Sequence, residues 1–260
     1  MNITWELLPC DNLRLCRFMT NYELRQQDYL VAFDGDVVLG AGLLKDDGSD
    51  AHVDVVVAPE YRKQGIGKVI VSRLIESAKS QRVERLTSHG DFAFWQALGF
   101  EKIADNQYCK LLPAAAQGLV ETWHQGIPVT EFLGLTITHS SSTRVETSAD
   151  MEKSINVHQS MFAGAIYSQA VLTGWGLIHL RAQQAGINGS IVLASGDIKY
   201  RKPITESPRG VVNASLPLSD FMVINDGDKY RVELTVNMHQ GESDEASAQF
   251  IGRYVILPKS

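Results

Sequence analysis

Residues 155–180, INVHQSMFAGAIYSQAVLTGWGLIHL, open on a polar turn and pass into a long apolar run, the pattern of one long helix that is buried on most of its circumference. From Met161 to Ala185 the run contains no Asp or Glu. Downstream the texture changes to β-type runs without helices between them: GSIVLASGDIKYRKPI (189–204), GVVNASLPL (210–218), KYRVELTVNMHQ (229–240) and EASAQFIGRYVIL (245–257). FLGLTITHSSSTRVETSA, ahead of the helix, adds one or two strands. One long helix with sequential strands is an α+β arrangement in which a sheet wraps a central helix.

Working outward, the first half alternates differently. YLVAFDGDVVLGAGLL (29–44) reads as a hairpin turning at Asp34-Gly35, and AHVDVVVAP (51–59) as a strand. GKVIVSRLIESAKSQ (67–81) has helical periodicity, with Val69, Ile70, Leu74 and Ile75 expected on one face. NLRLCRFMTNYELRQQ (12–27) reads as one helix. This half is α/β, and the small, uncharged AAAQG after KLLP marks a boundary, giving domains over 1–113 and 128–260 with a linker over 114–127.

Composition excludes several classes. With 260 residues, 44% hydrophobic and 21% charged, the chain has the make-up of a globular protein of about two domains. Both halves are mildly acidic, which argues against nucleic acid as a partner. Cys10, Cys16 and Cys109 are odd in number and lack metal-ligand spacing, so they read as reduced packing residues. The first residues lack the basic start and apolar core of a signal peptide, and no run reaches membrane-spanning length, so a cytoplasmic location without membrane association is expected.

VDVVVAPEYRKQGIGKVIVSRL places a strand, a basic glycine-containing loop and a helix in succession. Gly65 and Gly67 allow close backbone approach to a pyrophosphate, and the helix start directs free N–H groups at it. With FWQALGF (94–100) downstream, this resembles the GNAT acetyltransferase family, whose acyl-CoA loop is matched by Arg62, Gly65 and Gly67. The resemblance implies a CoA or acetyl-CoA site formed by Arg62, Lys63, Gly65, Ile66, Gly67 and Lys68. Two departures stand out. Trp95 occupies the place of the Tyr that protonates the departing thiolate, a transfer an indole cannot perform, and one helix precedes the hairpin where the family usually has two. A domain that binds CoA without transferring its acyl group is the expectation, with Asp54 either a base acting through water or a solvated strand carboxylate.

The C-terminal pattern, with MFAGA at the helix start and DIKYRKPI after a strand, resembles the hotdog fold of acyl-CoA and acyl-carrier-protein enzymes. In that fold the helix N-terminus polarises a thioester carbonyl, a role that would fall to Gly164 and its neighbours. Hydrolysis also needs a base or nucleophile, which the helix does not supply. Decarboxylation of a malonyl thioester needs only stabilisation of the enolate that remains. NVHQSMFAGA with LTGWGL resembles the bacterial malonyl-acyl-carrier-protein decarboxylases, one form of which fuses a GNAT domain ahead of the hotdog.

That resemblance implies a catalytic Asn156, assisted by His158, Ser160, Met161, Phe162 and Gly164, and an acetyl-thioester product that primes fatty acid synthesis. Its substrate would be a phosphopantetheine thioester on malonyl-acyl-carrier protein or malonyl-CoA, handled without a metal by a homodimer. Other readings stay open: Asn156 or Ser160 as helix caps, His158 as a water-activating base, Glu146 or Asp150 as the acid of a thioesterase, or a GNAT acetyltransferase with an accessory hotdog. Lys199, Arg201 and Lys202 either meet the phosphopantetheine phosphate or an acidic carrier, or form a solvated strand edge. Trp175 is a packing residue or an acyl-pocket wall, and the histidines other than His158 have no assigned function.

Overall fold

The computed structural model describes residues 3–20 and 27–259, and the chain divides into two compact units, Met1–Ala114 and Ala115–Ser260. In the first unit the elements run β1 (Ile3–Leu8), α1 (Leu13–Phe18), β2 (Tyr29–Asp34), β3 (Val37–Asp47), β4 (Asp50–Val57), α2 (Ile66–Ser80), β5 (Arg85–His89), α3 (Phe92–Gln96), β6 (Glu101–Ala104) and β7 (Gln107–Leu111). The helix expected over 12–27 is described as α1 ending at Phe18 with Met19 as its C-cap, and residues 21–26 lie outside the described residues.

The seven strands form one sheet in the order β1-β2-β3-β4-β5-β7-β6, antiparallel except where β4 meets β5. That parallel pairing covers only Asp50–His52 against Arg85–Thr87, so beyond it the two strands separate into a fork. The β2–β3 hairpin turns on Gly35 and Asp36, one residue later than expected, with Gly35 in the left-handed region at φ 60°.

α2 packs on one sheet face through Ile66, Ile70, Val71, Leu74, Ile75 and Ala78. Val69, expected on that face, is exposed, because the stripe at 67, 70/71, 74/75 and 78 is the one that meets the sheet. The opposite sheet face is covered by α1 and a smaller cluster of Leu15, Met19, Tyr29, Phe33 and Ala41.

The second unit contains α4 (Ala114–Gly126), α5 (Pro128–Phe132), β8 (Thr136–Ser140), β9 (Arg144–Ser148), α6 (Ala163–Ala185), β10 (Gly189–Tyr200), β11 (Pro208–Asn213), α7 (Leu218–Phe221), β12 (Tyr230–Gln240) and β13 (Ala248–Pro258). Residues 114–127, read from the sequence as a linker, are largely α4. Its Leu119 and Trp123 are buried, and Trp123 lies against Gly176 of α6. The uncharged alanines that suggested a boundary are good helix formers, and the apolar residues after them complete a packed face.

The six strands run β10-β13-β12-β11-β9-β8, all antiparallel, and curve around α6. The two glycines of LTGWGL permit the close packing. A Cβ at Gly174 would lie 2.5 Å from Tyr254 Oη on β13, and one at Gly176 would lie 3.0 Å from the Trp123 ring. α6 ends at Gly186, left-handed at φ 75°. No helix among the described residues is long and apolar enough to cross a membrane.

Along α6, His179 stacks on Trp175 at 4.8 Å between ring centroids, and Trp175 donates its indole N–H to Ile191 O at 3.1 Å. Trp175 is thus a packing residue whose polar edge is tied to β10. Burial, with a smaller contribution from Lys259, depresses the His179 imidazole to about 4. Its ordinary value is 6.5, so as pH falls below 6.5 the unfolded chain takes up a proton that the folded chain refuses. The His179 contribution is therefore intact above pH 6.5 and lost progressively toward pH 4, by an amount on the order of 3 kcal/mol. A His179→Phe variant is expected to lose less stability than wild type between these pH values in parallel denaturant titrations; equal losses would contradict the assignment.

Candidate functional site

Two places gather chemistry-bearing groups, one in each unit. In the first unit a cavity of about 800 Å³ runs along the fork. One end is lined by Arg62, Lys63, Gly65, Ile66, Gly67 and Lys68, so all six residues expected to hold CoA border it. Gly65 is the N-cap of α2 at φ 84°, a conformation that favours glycine, and its Cα faces open space. At Gly67 a Cβ would be 3.3 Å from Val57 and 3.4 Å from Phe94, which places the helix start tightly on β4 and α3.

Arg62 anchors its Nε on Val57 O at 3.1 Å, leaving the rest of the guanidinium available at the cavity rim. The Ile66 side chain is buried in the core, so Ile66 can offer a ligand only its backbone N–H. Three cations and the unpaired N–H groups at the start of α2 suit a pyrophosphate.

Trp95 is 2% exposed, packs on Phe94 and Phe100 and donates its indole N–H to His89 O at 2.9 Å. The other end of the cavity holds Met19, Tyr29, Ala41, Asp54 and His89. Here the structure adds what the sequence reading missed. His52 Nε2 lies 3.1 Å from Asp54 Oδ1 and 3.4 Å from His89 Nδ1, while His52 Nδ1 lies 3.1 Å from Thr87 Oγ1. The spacing of His52 and Asp54 on one strand was a signal that they share a face. Nothing in the sequence spacing brings His89 to them.

In the second unit the site is built by the loop 155–161 and the start of α6. Ile155 and Met161 form a β-bridge, and Asn156 N–H donates to Ser160 O at 2.8 Å, closing the loop on itself with Gln159 left-handed at φ 58°. Within it the Asn156 side chain forms an Asx turn. Its Oδ1 accepts from His158 N–H at 2.8 Å and Ser160 N–H at 3.4 Å, and its Nδ2 donates to Ser160 Oγ at 3.2 Å. One of the two amide protons accounts for the Ser160 bond, so the group has a second to offer.

Neither Asn156 nor Ser160 caps the helix, contrary to the capping alternative. The N-cap is Phe162, which contributes no side-chain cap. Its N–H is taken by Ser154 O at 2.7 Å, while the N–H groups of Ala163 and Gly164, at the first helical positions, have no acceptor within the helix. The Phe162 ring folds over Gly164, where a Cβ would come within 2.3 Å of it. Met161 is buried, with its N–H donated to Ile204 O at 2.7 Å, so its part is to fix the loop to the connection between β10 and β11.

His158 is exposed, and among the described residues no partner orients its ring. The two carboxylates considered as hydrolytic acids are engaged elsewhere. On β9, Val145 and Thr147 are buried and alternate with Glu146, which therefore faces away from α6. Glu146 accepts from Arg144 Nε at 2.6 Å and lies 3.7 Å from Arg209. Burial opposes its ionisation, but Arg144 and then Arg209 hold the carboxyl below its ordinary range. Asp150 accepts Glu152 N–H at 3.0 Å and pairs with Lys153 at 3.4 Å, which ties it to the short 3-10 turn at Glu152–Ser154.

Of the basic cluster, Lys202 pairs with Glu245 and Arg201 donates to Gln249 Oε1 at 3.3 Å, while Lys199 is exposed. Among the described residues, no group of three or more His, Cys, Asp or Glu could hold a metal ion.

The comparisons with known proteins fall on the same two units. Residues 116–258 match the family described as "Putative thioesterase (yiiD_Cterm)", and residues 2–100 match the "Acetyltransferase (GNAT) family". The crystal structure of a "putative thioesterase" from Shewanella oneidensis is 35% identical with a TM-score of 0.52, covering 56% of this chain and all of its own. A protein of unknown function from Chlorobaculum tepidum TLS, 24% identical with a TM-score of 0.53, covers 56% of this chain and 96% of its own, and shares the fold. An N-terminal GNAT domain and a C-terminal hotdog domain are thus both present.

Proposed function

The chain belongs to the family described as "Putative thioesterase (yiiD_Cterm)", and from that premise we propose that its hotdog domain decarboxylates a malonyl thioester, on acyl-carrier protein or CoA, to the acetyl thioester. The observation that carries this reading is the pairing of a polarising helix start with the lack, among the described residues, of a carboxylate free to act as a base beside it. The N–H groups of Ala163 and Gly164 and the amide of Asn156 offer neutral donors, while Glu146 and Asp150 are committed to arginines and to a turn.

In the proposed step the bond between the substrate's methylene and its carboxylate breaks, and its electron pair forms the enolate carbon–carbon double bond as carbon dioxide leaves. The thioester oxygen takes the negative charge and is held by the N–H donors. A proton from water then completes the acetyl group. Neutral donors suit a substrate that brings its own carboxylate, which an acidic residue would repel.

β10 is an unpaired sheet edge of 12 residues, and Ile155, Val157 and Phe162 around the site are exposed, with Val157 at 89%. Both features favour a homodimer that covers the site with a second copy, a state that light scattering reads directly. The acetyl product would serve as a primer for fatty acid synthesis.

Hydrolysis is the second reading, favoured by the family description and by the likeness to the Shewanella oneidensis protein, which carries the same description. Incubating the whole chain with malonyl-carrier protein, and separately with malonyl-CoA, distinguishes the two. Acetyl thioester without free thiol is the expected result. Free thiol in step with free malonate would replace decarboxylation by hydrolysis.

A further inference from the structure

β10 doubles back along α6, and three contacts record how the two elements match. Trp175 donates its indole N–H to Ile191 O at 3.1 Å, a Cβ on Gly196 would lie 2.7 Å from Tyr167 Oη, and Tyr200 Oη donates to Ala163 O at 3.0 Å. The strand that leaves the C-terminal end of the helix thus returns its last residue to the helix start. Positions 196, 198 and 200 share the face turned to α6, since side chains alternate along a strand and the register with β13 is regular from Ser195 onward. Tyr200 therefore stands at the turn of α6 whose free N–H groups, those of Ala163 and Gly164, are assigned to the thioester oxygen. It is also 48% exposed, so water reaches it.

The other donors at this turn cannot supply a proton. Backbone N–H groups and the Asn156 amide hold negative charge but do not ionise in the neutral range, whereas a phenol does so near 10 and can give its proton to a carbanion. Burial, and then Tyr167, hold the Tyr200 hydroxyl above that ordinary value, so it is a neutral acid at pH 7. Neutrality matters here. An Asp or Glu ionised at the same pH would repel the substrate's carboxylate, and a phenol does not.

We propose that Tyr200 is the acid that protonates the enolate carbon left by decarboxylation, delivering the proton to one face. This rests on the decarboxylation reading and adds to it the path by which a proton from water reaches carbon.

In the step, the Tyr200 O–H bond breaks as the electron pair of the enolate carbon–carbon double bond forms the new C–H bond, and the thioester carbonyl is restored. The phenolate takes a proton from water. The hydroxide that remains combines with the departed carbon dioxide as bicarbonate, so charge and protons balance over the cycle.

The test gives the whole chain a malonyl thioester, on carrier protein and separately on CoA, whose methylene carries hydrogen and deuterium in known configuration. Turnover in tritiated water makes the acetyl methyl group chiral, and its configuration is read. Wild type is expected to give a single configuration. Tyr200→Phe should give a racemic methyl group and lower kcat roughly 10-fold with KM unchanged, less than the roughly 10²- to 10⁴-fold usual for a general acid because carbon dioxide leaves before the proton arrives. Tyr167→Phe, which removes the neighbouring hydroxyl, should keep the single configuration. A hydrogen bond that merely braced the helix start would change the rate and leave the configuration alone. A single configuration from Tyr200→Phe, a racemic product from wild type, or a racemic product from Tyr167→Phe would overturn the assignment to Tyr200 and leave decarboxylation standing. No acetyl thioester from either substrate with wild type would overturn both.

Discussion

Replacing Asn156 by Ala is expected to lower acetyl-thioester formation from malonyl-carrier protein by roughly 100- to 1000-fold, the usual effect of removing one donor from an oxyanion site. Asn156 does two things in the structure, and the Ala variant removes both: its Oδ1 organises the loop through His158 and Ser160 N–H, and its Nδ2 is the proposed donor. Asn156→Asp separates them. A carboxylate keeps the acceptor that closes the Asx turn but has no N–H, and it places a negative charge beside the substrate's carboxylate. If donation matters, Asp is as inactive as Ala and the loss appears in kcat. Substantial activity in the Asp variant would show that Asn156 only shapes the loop and would remove it from the chemistry.

Gly174→Ala is expected to destabilise the hotdog domain by about 1–3 kcal/mol, the cost of overpacking a filled core. The added methyl group would sit 2.5 Å from Tyr254 Oη, which is itself held by donation to Val171 O at 2.8 Å, so the ring cannot swing away without losing that bond. Desolvation also pushes the Tyr254 hydroxyl's ionisation far above its ordinary range, so the ring stays neutral and close-packed. Tyr254→Phe removes the clashing oxygen at the cost of the hydrogen bond. The double variant should therefore lose less stability than the two single losses added together, by about 1 kcal/mol, in a denaturant-unfolding cycle. Strict additivity would mean that the helix and β13 move apart instead of competing for the same space.

Much of both domains was legible along the chain because it rests on local periodicity. The Arg62–Lys68 loop, the apolar stripe of α2, the alternation of β10 to β13 and the acid-free run of α6 are features of neighbouring residues. Errors arose where a face or an end depends on what packs against it. Val69 is one position off the stripe that meets the sheet, α6 begins only at Ala163 because Phe162 is extended, and the expected linker is a helix because Trp123 has Gly176 to pack on.

By itself the sequence determined the two domain types, through the motifs that resemble known families, and the glycine-containing basic loop of residues 62–68 and the lack of an acid along α6, since spacing encodes backbone conformation and which side chains a helix can present. Only the tertiary structure decided where the distant charges went. Glu146 meets Arg209 and His89 reaches His52 through strand pairings that span tens of residues, and such pairings follow from sheet register, which no local pattern specifies.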